Sequence, residues 1–143
     1  MRAPDGTLST YDAPGAVHGA LSFAINPVGA ITGDFFDANY VIHGFVRAKD
    51  GTLTTFDVPD AGTGFFQGTA SNSINPAGTI SGLYIDQSYA DHGFLRAPDG
   101  TFTTFDVPGA VNGTFPQAIN PAGVVTGSFS DASFVGHGFL RIP

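Results

Sequence analysis

Three near-copies of one segment constrain this chain's fold more than any single residue does. HGFVRAKDGTLTTFDVP at residues 43–59 returns as HGFLRAPDGTFTTFDVP at residues 92–108. INPVGAITG at residues 25–33 returns as INPAGTISG (74–82) and INPAGVVTG (119–127). Arg2, Arg47, Arg96 and Arg141 mark the period, at intervals of 45, 49 and 45 residues. A period of this length belongs to supersecondary units that stack because none can bury its apolar face alone. The longer middle interval holds an insertion: 14 residues separate Pro59 from Ile74, whereas 10 separate Pro14 from Ile25. The inserted stretch, DAGTGFFQGTASNS, is expected to form a longer loop on one rim.

The units read as all-β. The chain's 20 Gly and 10 Pro among 143 residues break long helices. No window holds a helical apolar period, and short Thr, Val, Ile and Phe runs alternate between turn signals. In the third repeat, residues 101–107 predict a strand entered through the Pro98-Asp99-Gly100 turn, whose glycine supplies a positive φ. A run from Gln117 leads into the Pro121-Ala122-Gly123 turn, and residues 124–129 and 136–142 predict the remaining strands. Four short strands in each repeat form an antiparallel meander the size of a β-propeller blade.

One repeat domain over 1–143 is therefore expected, with three four-stranded antiparallel units at about 14–58, 59–107 and 108–143. Residues 7–13 (TLSTYDA) read as a strand with no HGF strand before it, and residues 137–143 (HGFLRIP) as one with no TFTTFDV strand after it. The first is expected to seal the open edge of the second. Three blades are too few for a closed propeller. A homodimer of six blades is the expected assembly, with a trimer as the other choice. A single-chain β-trefoil or β-prism is the alternative fold.

The net charge of −7 comes from twelve Asp, no Glu and five Lys plus Arg. Such a chain lacks the basic footprint that nucleic acid requires. No apolar stretch approaches the roughly 20 residues of a membrane helix, so no membrane insertion is expected. Residues 1–20 show no signal-peptide pattern. The absence of Cys excludes disulfides and thiolate metal sites.

The recurring Ile-Asn-Pro-x-Gly stretch, followed by Asp and then His-Gly-Phe, resembles the bacterial extracellular HAF repeat, named for a His-Ala-Phe motif. Here the central residue is Gly, at His43-Gly44-Phe45, His92-Gly93-Phe94 and His137-Gly138-Phe139. The resemblance covers all three units. It implies a propeller-like array in secreted or surface proteins, hence an extracellular or cell-surface setting, and no established activity. Members usually begin with an export signal; this chain opens inside a unit and reads as a segment of a longer repeat protein.

Residues at one phase of every unit are read first as scaffold. His43, His92 and His137 are expected to be buried imidazoles bridging strands, with Asp37, Asp86 and Asp131 as acceptors, rather than a metal-binding ring. Asn26, Asn75 and Asn120, each before Pro, are expected to close Asx-type turns. Asp12, Asp57 and Asp106 are expected to cap turns, and Asp57 is expected to pair with Arg47, and Asp106 with Arg96, across their hairpins. Asp34, Asp37 and Asn39 offer oxygens to a calcium ion, but Leu83 and Ser128 replace Asp34 in the other units, and no metal is assigned.

Tyr40, Tyr89 and Phe134 each stand three residues before the repeat His, after polar turns. An aromatic plate beside short acceptors suits a sugar ring, which stacks by its C–H face while its hydroxyls bond to Asn39, Asp86 or Asp131. Shallow repeated sites then gain from multivalency. No nucleophile elbow, H-E-x-x-H or phosphate loop is present. His18, Asp60 and Asp91 are the ionisable rim candidates outside the repeat, and Asn112-Gly113-Thr114 matches a glycosylation sequon. The expected function is a non-enzymatic, lectin-like binding module without cofactor. A protein-interaction scaffold within a larger surface protein is the alternative, and a glycan-active enzyme the minor one.

Overall fold

In the computed structural model, residues 6–143 are described; Arg2 and the start of the opening hairpin lie outside the described residues. Among the described residues, eleven strands and no helix make the chain all-β. The first unit is an antiparallel meander of β1 (Ala20–Ile25), β2 (Ile31–Phe36), β3 (Ile42–Arg47) and β4 (Leu53–Phe56). The second repeats it with β5 (Gly68–Ile74), β6 (Ile80–Ile85), β7 (Asp91–Arg96) and β8 (Phe102–Phe105). The third has three strands rather than the expected four: β9 (Thr114–Ile119), β10 (Val125–Ser130) and β11 (Gly136–Arg141). A parallel bridge between Ile42 and Gly68 joins the first two units into one eight-stranded sheet, and the third forms a separate sheet.

A bulge recurs near the middle of the first strand of every unit, where the register slips opposite the repeat glycine. Gly33, Gly82 and Gly127 sit under that bulge. A Cβ on any of them would meet the carbonyl of Leu21, Ala70 or Phe115 on one side and, at 2.8 Å, the ring of Phe45, Phe94 or Phe139 on the other. Glycine lets that ring lie flat on its own sheet. Phe45 and Phe94 are consequently fully buried, each contributing about 2–3 kcal/mol of apolar burial.

The core lies between units, as the stacking argument requires. Phe56 and Val58, at the end of the first unit, pack with Ile74, Ile80, Tyr84 and Phe94 of the second. Ala13 and Tyr11 repeat that arrangement against Ile31, Phe35 and Phe45 of the first unit. Residues 7–13 therefore occupy, relative to the first unit, the place β4 occupies relative to the second. They form no strand ladder, contrary to expectation: only Leu8 makes a β-bridge. The strand that would pair with Ser9–Asp12, the counterpart of β3, is not among the described residues that precede it.

Polar contacts cross the junctions as well. Ser71 Oγ donates to Gly33 O at 2.5 Å, and Thr32 Oγ1 lies 2.9 Å from Ser71 Oγ. At the next junction Pro116 stands where Ser71 stood, so the equivalent Ser81 hydroxyl is buried without a partner. Asn26 Nδ2 donates to Asn75 O at 3.0 Å, and Asn75 Nδ2 to Asn120 O at 3.4 Å. The same asparagines close the expected turns, each Oδ1 accepting the backbone N–H of Ala30, Thr79 or Val124.

Candidate functional site

His43 and His92 are held from three sides and His137 from two. Each stacks on the aromatic opposite it in the second strand: His43 on Phe35, His92 on Tyr84 and His137 on Phe129, with centroids about 5 Å apart. Nδ1 of His43 and His92 lies 2.9 Å from Asp57 and Asp106. Nε2 faces the turn aspartate, 3.7 Å from Asp37, 3.5 Å from Asp86 and, for His137, 3.1 Å from Asp131. The expected acceptors are therefore present, but the short bond in the first two units goes to a different aspartate. The imidazoles are also partly exposed rather than buried.

This corrects the expected Arg47–Asp57 and Arg96–Asp106 pairs. Arg47 lies over Tyr11 at 4.8 Å, Arg96 over Phe56 at 4.8 Å and Arg141 over Phe105 at 5.1 Å. The reason is register: with Gly44 opposite Phe56, His43 comes opposite Asp57, while the arginine lies at the far end of the hairpin over an apolar ring it can stack on.

The turns carrying Tyr40, Tyr89 and Phe134 are tightly built. Asp37, Asp86 and Asp131 each accept two backbone N–H groups through Oδ1, for example Ser88 and Ala90 on Asp86. These bonds, the one from Val41, Ala90 or Val135 first, hold the three carboxyls below the ordinary carboxylate range. Asp86 and Asp131, expected as ligand acceptors, are thus committed to their turns and to His92 and His137. Asn39 lies in the first turn, exposed. The aromatic that follows takes a left-handed backbone, with φ of 61°, 63° and 60° at Tyr40, Tyr89 and Phe134. That conformation costs a non-glycine residue on the order of 1 kcal/mol, and it aims the ring out along the rim.

The three rings are not equivalent. Tyr40 is stacked face to face on His18, with centroids 3.8 Å apart, and Phe65 and Phe66 of the insert pack against its edge. The insert crosses the first junction, Phe66 N–H donating to Tyr40 O and Ile42 N–H to Gln67 O. Tyr89 is 60 % exposed and Phe134 80 %. These two flank a cleft of about 460 Å³ between the second and third units, also lined by Asp91, His92, Asp106 and Asn112.

Asp91 is the acceptor that the repeat pattern did not single out for this cleft. It stands where the first unit has Ile42 and the third Gly136, and burial pushes its carboxyl above the ordinary value. No hydrogen bond occupies it among the described residues. Asn112 anchors the opposite wall, its Nδ2 donating to Asp131 O at 2.5 Å. Among the described residues no group of three or more His, Asp or Glu side chains could hold a metal ion. Asp34 lies buried in β2, apart from the Asp37 turn. Comparison of the chain with protein-family models, curated proteins and solved structures gives no match.

Proposed function

We propose that this chain is a non-enzymatic binding module of β-propeller type that holds a carbohydrate in the cleft between its second and third units. The observation that carries the reading is the pairing of two exposed aromatic faces, Tyr89 and Phe134, across one cleft of about 460 Å³. A pyranose ring stacks on such faces by its C–H groups, while the uncommitted Asp91 carboxylate accepts hydroxyl hydrogens. The propeller reading is supported by the antiparallel meanders stacked face to face through equivalent residues. The extracellular or cell-surface setting rests on the HAF resemblance.

A glycan screen followed by calorimetry tests the function. Tyr89→Ala and Phe134→Ala should each abolish binding while the far-UV circular dichroism stays unchanged, and Asp91→Asn should weaken it about tenfold, the loss of one charge-assisted hydrogen bond. No glycan bound at high protein concentration, or binding retained in the Tyr89→Ala, Phe134→Ala double variant, overturns it. The protein-interaction reading is favoured by one feature, the exposed Phe65 and Phe66 pair on the insert. It predicts a partner lost on Phe65→Ser and Phe66→Ser with glycan binding absent throughout.

A further inference from the structure

The chain builds the same junction twice and leaves both halves of a third one open. In each complete junction an asparagine amide of one unit reaches the asparagine carbonyl of the next. The unit's last strand also covers the glycine of its own HGF motif: Phe56 stands over Gly44 and Phe105 over Gly93, where an added Cβ would come within 2.7 Å of the Phe105 ring. The aspartate after that strand meets the histidine opposite, as Asp57 does His43 and Asp106 does His92.

On the third unit the receiving half is bare. The Asn120 side-chain amide makes no hydrogen bond among the described residues. His137 meets Asp131 through Nε2, but no carboxylate stands at Nδ1. The nearest atom to a Cβ on Gly138 would be Gly127 O at 3.9 Å. Among the described residues β11 pairs only with β10, and Leu140 is 65 % exposed.

On the first unit the complementary half waits. Asp12, the counterpart of Asp57 and Asp106, makes no hydrogen bond or ion pair among the described residues. Ile25 is 55 % exposed, whereas its counterparts Ile74 and Ile119, each covered by the preceding unit, are 7 % and 9 %. Phe23 and Val28 beside it are exposed too.

We propose that a second copy of this chain completes the junction, laying its residues 9–12 along β11 so that its Asp12 meets His137 and its Asn26 carbonyl receives the Asn120 amide. The register follows from the internal junctions: Tyr11 of the second copy falls opposite Gly138, Thr10 opposite Phe139 and Ser9 opposite Leu140. The occupant is a copy of this chain because both halves belong to it and match in every repeated contact. Two copies then satisfy each other reciprocally about a two-fold axis, closing six units with no open side. The closure also sets Phe134 against His18 and Tyr40 of the second copy, the positions that Asn112 and Phe134 hold relative to Tyr89.

Light scattering and thiol cross-linking test this directly, since the chain has no cysteine of its own. The expected mass is twice the 14.7 kDa of one chain. Ser9→Cys and Leu140→Cys chains, mixed and treated with a short bifunctional maleimide, should give a covalent pair that neither variant gives alone. Leu140→Lys, at an exposed position, should return the mass to one chain with an unchanged circular dichroism spectrum, and His137→Ala should weaken association about tenfold. A single-chain mass at every concentration up to the solubility limit overturns the proposal, as does a ladder of higher masses. A two-chain mass without the Ser9–Leu140 cross-link places a different face in contact and overturns it equally. So does saturation of β11 by an unrelated protein while the chain itself stays single.

Discussion

Asn26 donates its side-chain amide to the backbone carbonyl of Asn75 at 3.0 Å, one hydrogen bond joining residues 49 apart in sequence. The same amide group sits on a side chain whose oxygen closes its own turn. One residue type thus shapes the local chain and fastens neighbouring units, which explains its return at the same phase in every repeat. The middle residue of the ladder both gives and receives, so it carries the most.

Replacing that middle residue should show the difference. Asn75→Ala removes the bond to Asn120 O and the Thr79 N–H acceptor at a buried position. A loss of about 2–3 kcal/mol is expected in urea unfolding. Asn120→Ala, exposed and without a bond from its amide, should cost about 1 kcal/mol in the single chain, from the turn alone. Equal losses would mean the ladder contributes nothing beyond the turns.

Two glycines of the repeat should respond very unequally to the same change. A Cβ at Gly82 would press on Ala70 O and stand 2.8 Å from the Phe94 ring, between a backbone and a buried aromatic that cannot yield. Gly82→Ala is expected to cost at least about 3 kcal/mol by thermal or urea unfolding. Gly138→Ala meets nothing closer than 3.9 Å, and in the isolated chain should stay within about 0.5 kcal/mol of the parent.

The strands and turns were legible because the repeat aligns three copies of each, and the Asn-Pro and Asp-Gly turn signals recur at one phase. The His43–Asp57 contact was legible in principle: counting outward from the Asp50-Gly51 turn brings His43 opposite Asp57, whereas charge alone suggested Arg47. The bulge was hidden, since its residues, Phe23, Asn72 and Gln117, are an aromatic and two amides of different length, with no one residue type repeated. Nor could the repeat reveal that Tyr40 is partly covered, at 37 % exposure, and Tyr89 more open, at 60 %, because that depends on where the non-repeated insert folds. The sequence marks Asp91 only as an ionisable rim residue outside the repeat: its counterparts, Ile42 and Gly136, are apolar, so it belongs to one junction only.

Asp34 gives the fold a pH dependence opposite to that of a salt-bridged acid. It sits on the face of β2 that bears Thr32, toward the second unit, and burial pushes its carboxyl from the ordinary 3.8 up to about 7. The folded chain therefore holds a proton that the unfolded chain has lost between those two values. Stability falls as pH rises from about 4 to about 7, by on the order of 4 kcal/mol, and stays low above that. Asp34→Asn removes the titration, so its stability relative to the parent should improve between pH 4 and pH 8 by that order. Urea unfolding at the two pH values measures it, and an unchanged difference would falsify the buried-acid account.

The insert offers a gain-of-function test of the cleft. Between Pro59 and Gly68 the chain carries eight residues, DAGTGFFQ, where the third unit carries four, GAVN, between Pro108 and Gly113. Phe65 and Phe66 in that stretch pack on Tyr40, and the Phe65 carbonyl accepts the Tyr89 hydroxyl at 3.1 Å. Exchanging residues 60–67 for GAVN should uncover the first junction and leave a cleft beside Tyr40 like the one beside Tyr89. Calorimetry with a glycan bound by the parent should then show the number of sites per chain rise by one, with Tyr40→Ala in the exchanged background returning it to the parent value. Stoichiometry unchanged in a folded exchange variant would mean that the covering insert is not what separates Tyr40 from Tyr89, and that Asp91, which the first unit lacks, decides where ligand binds.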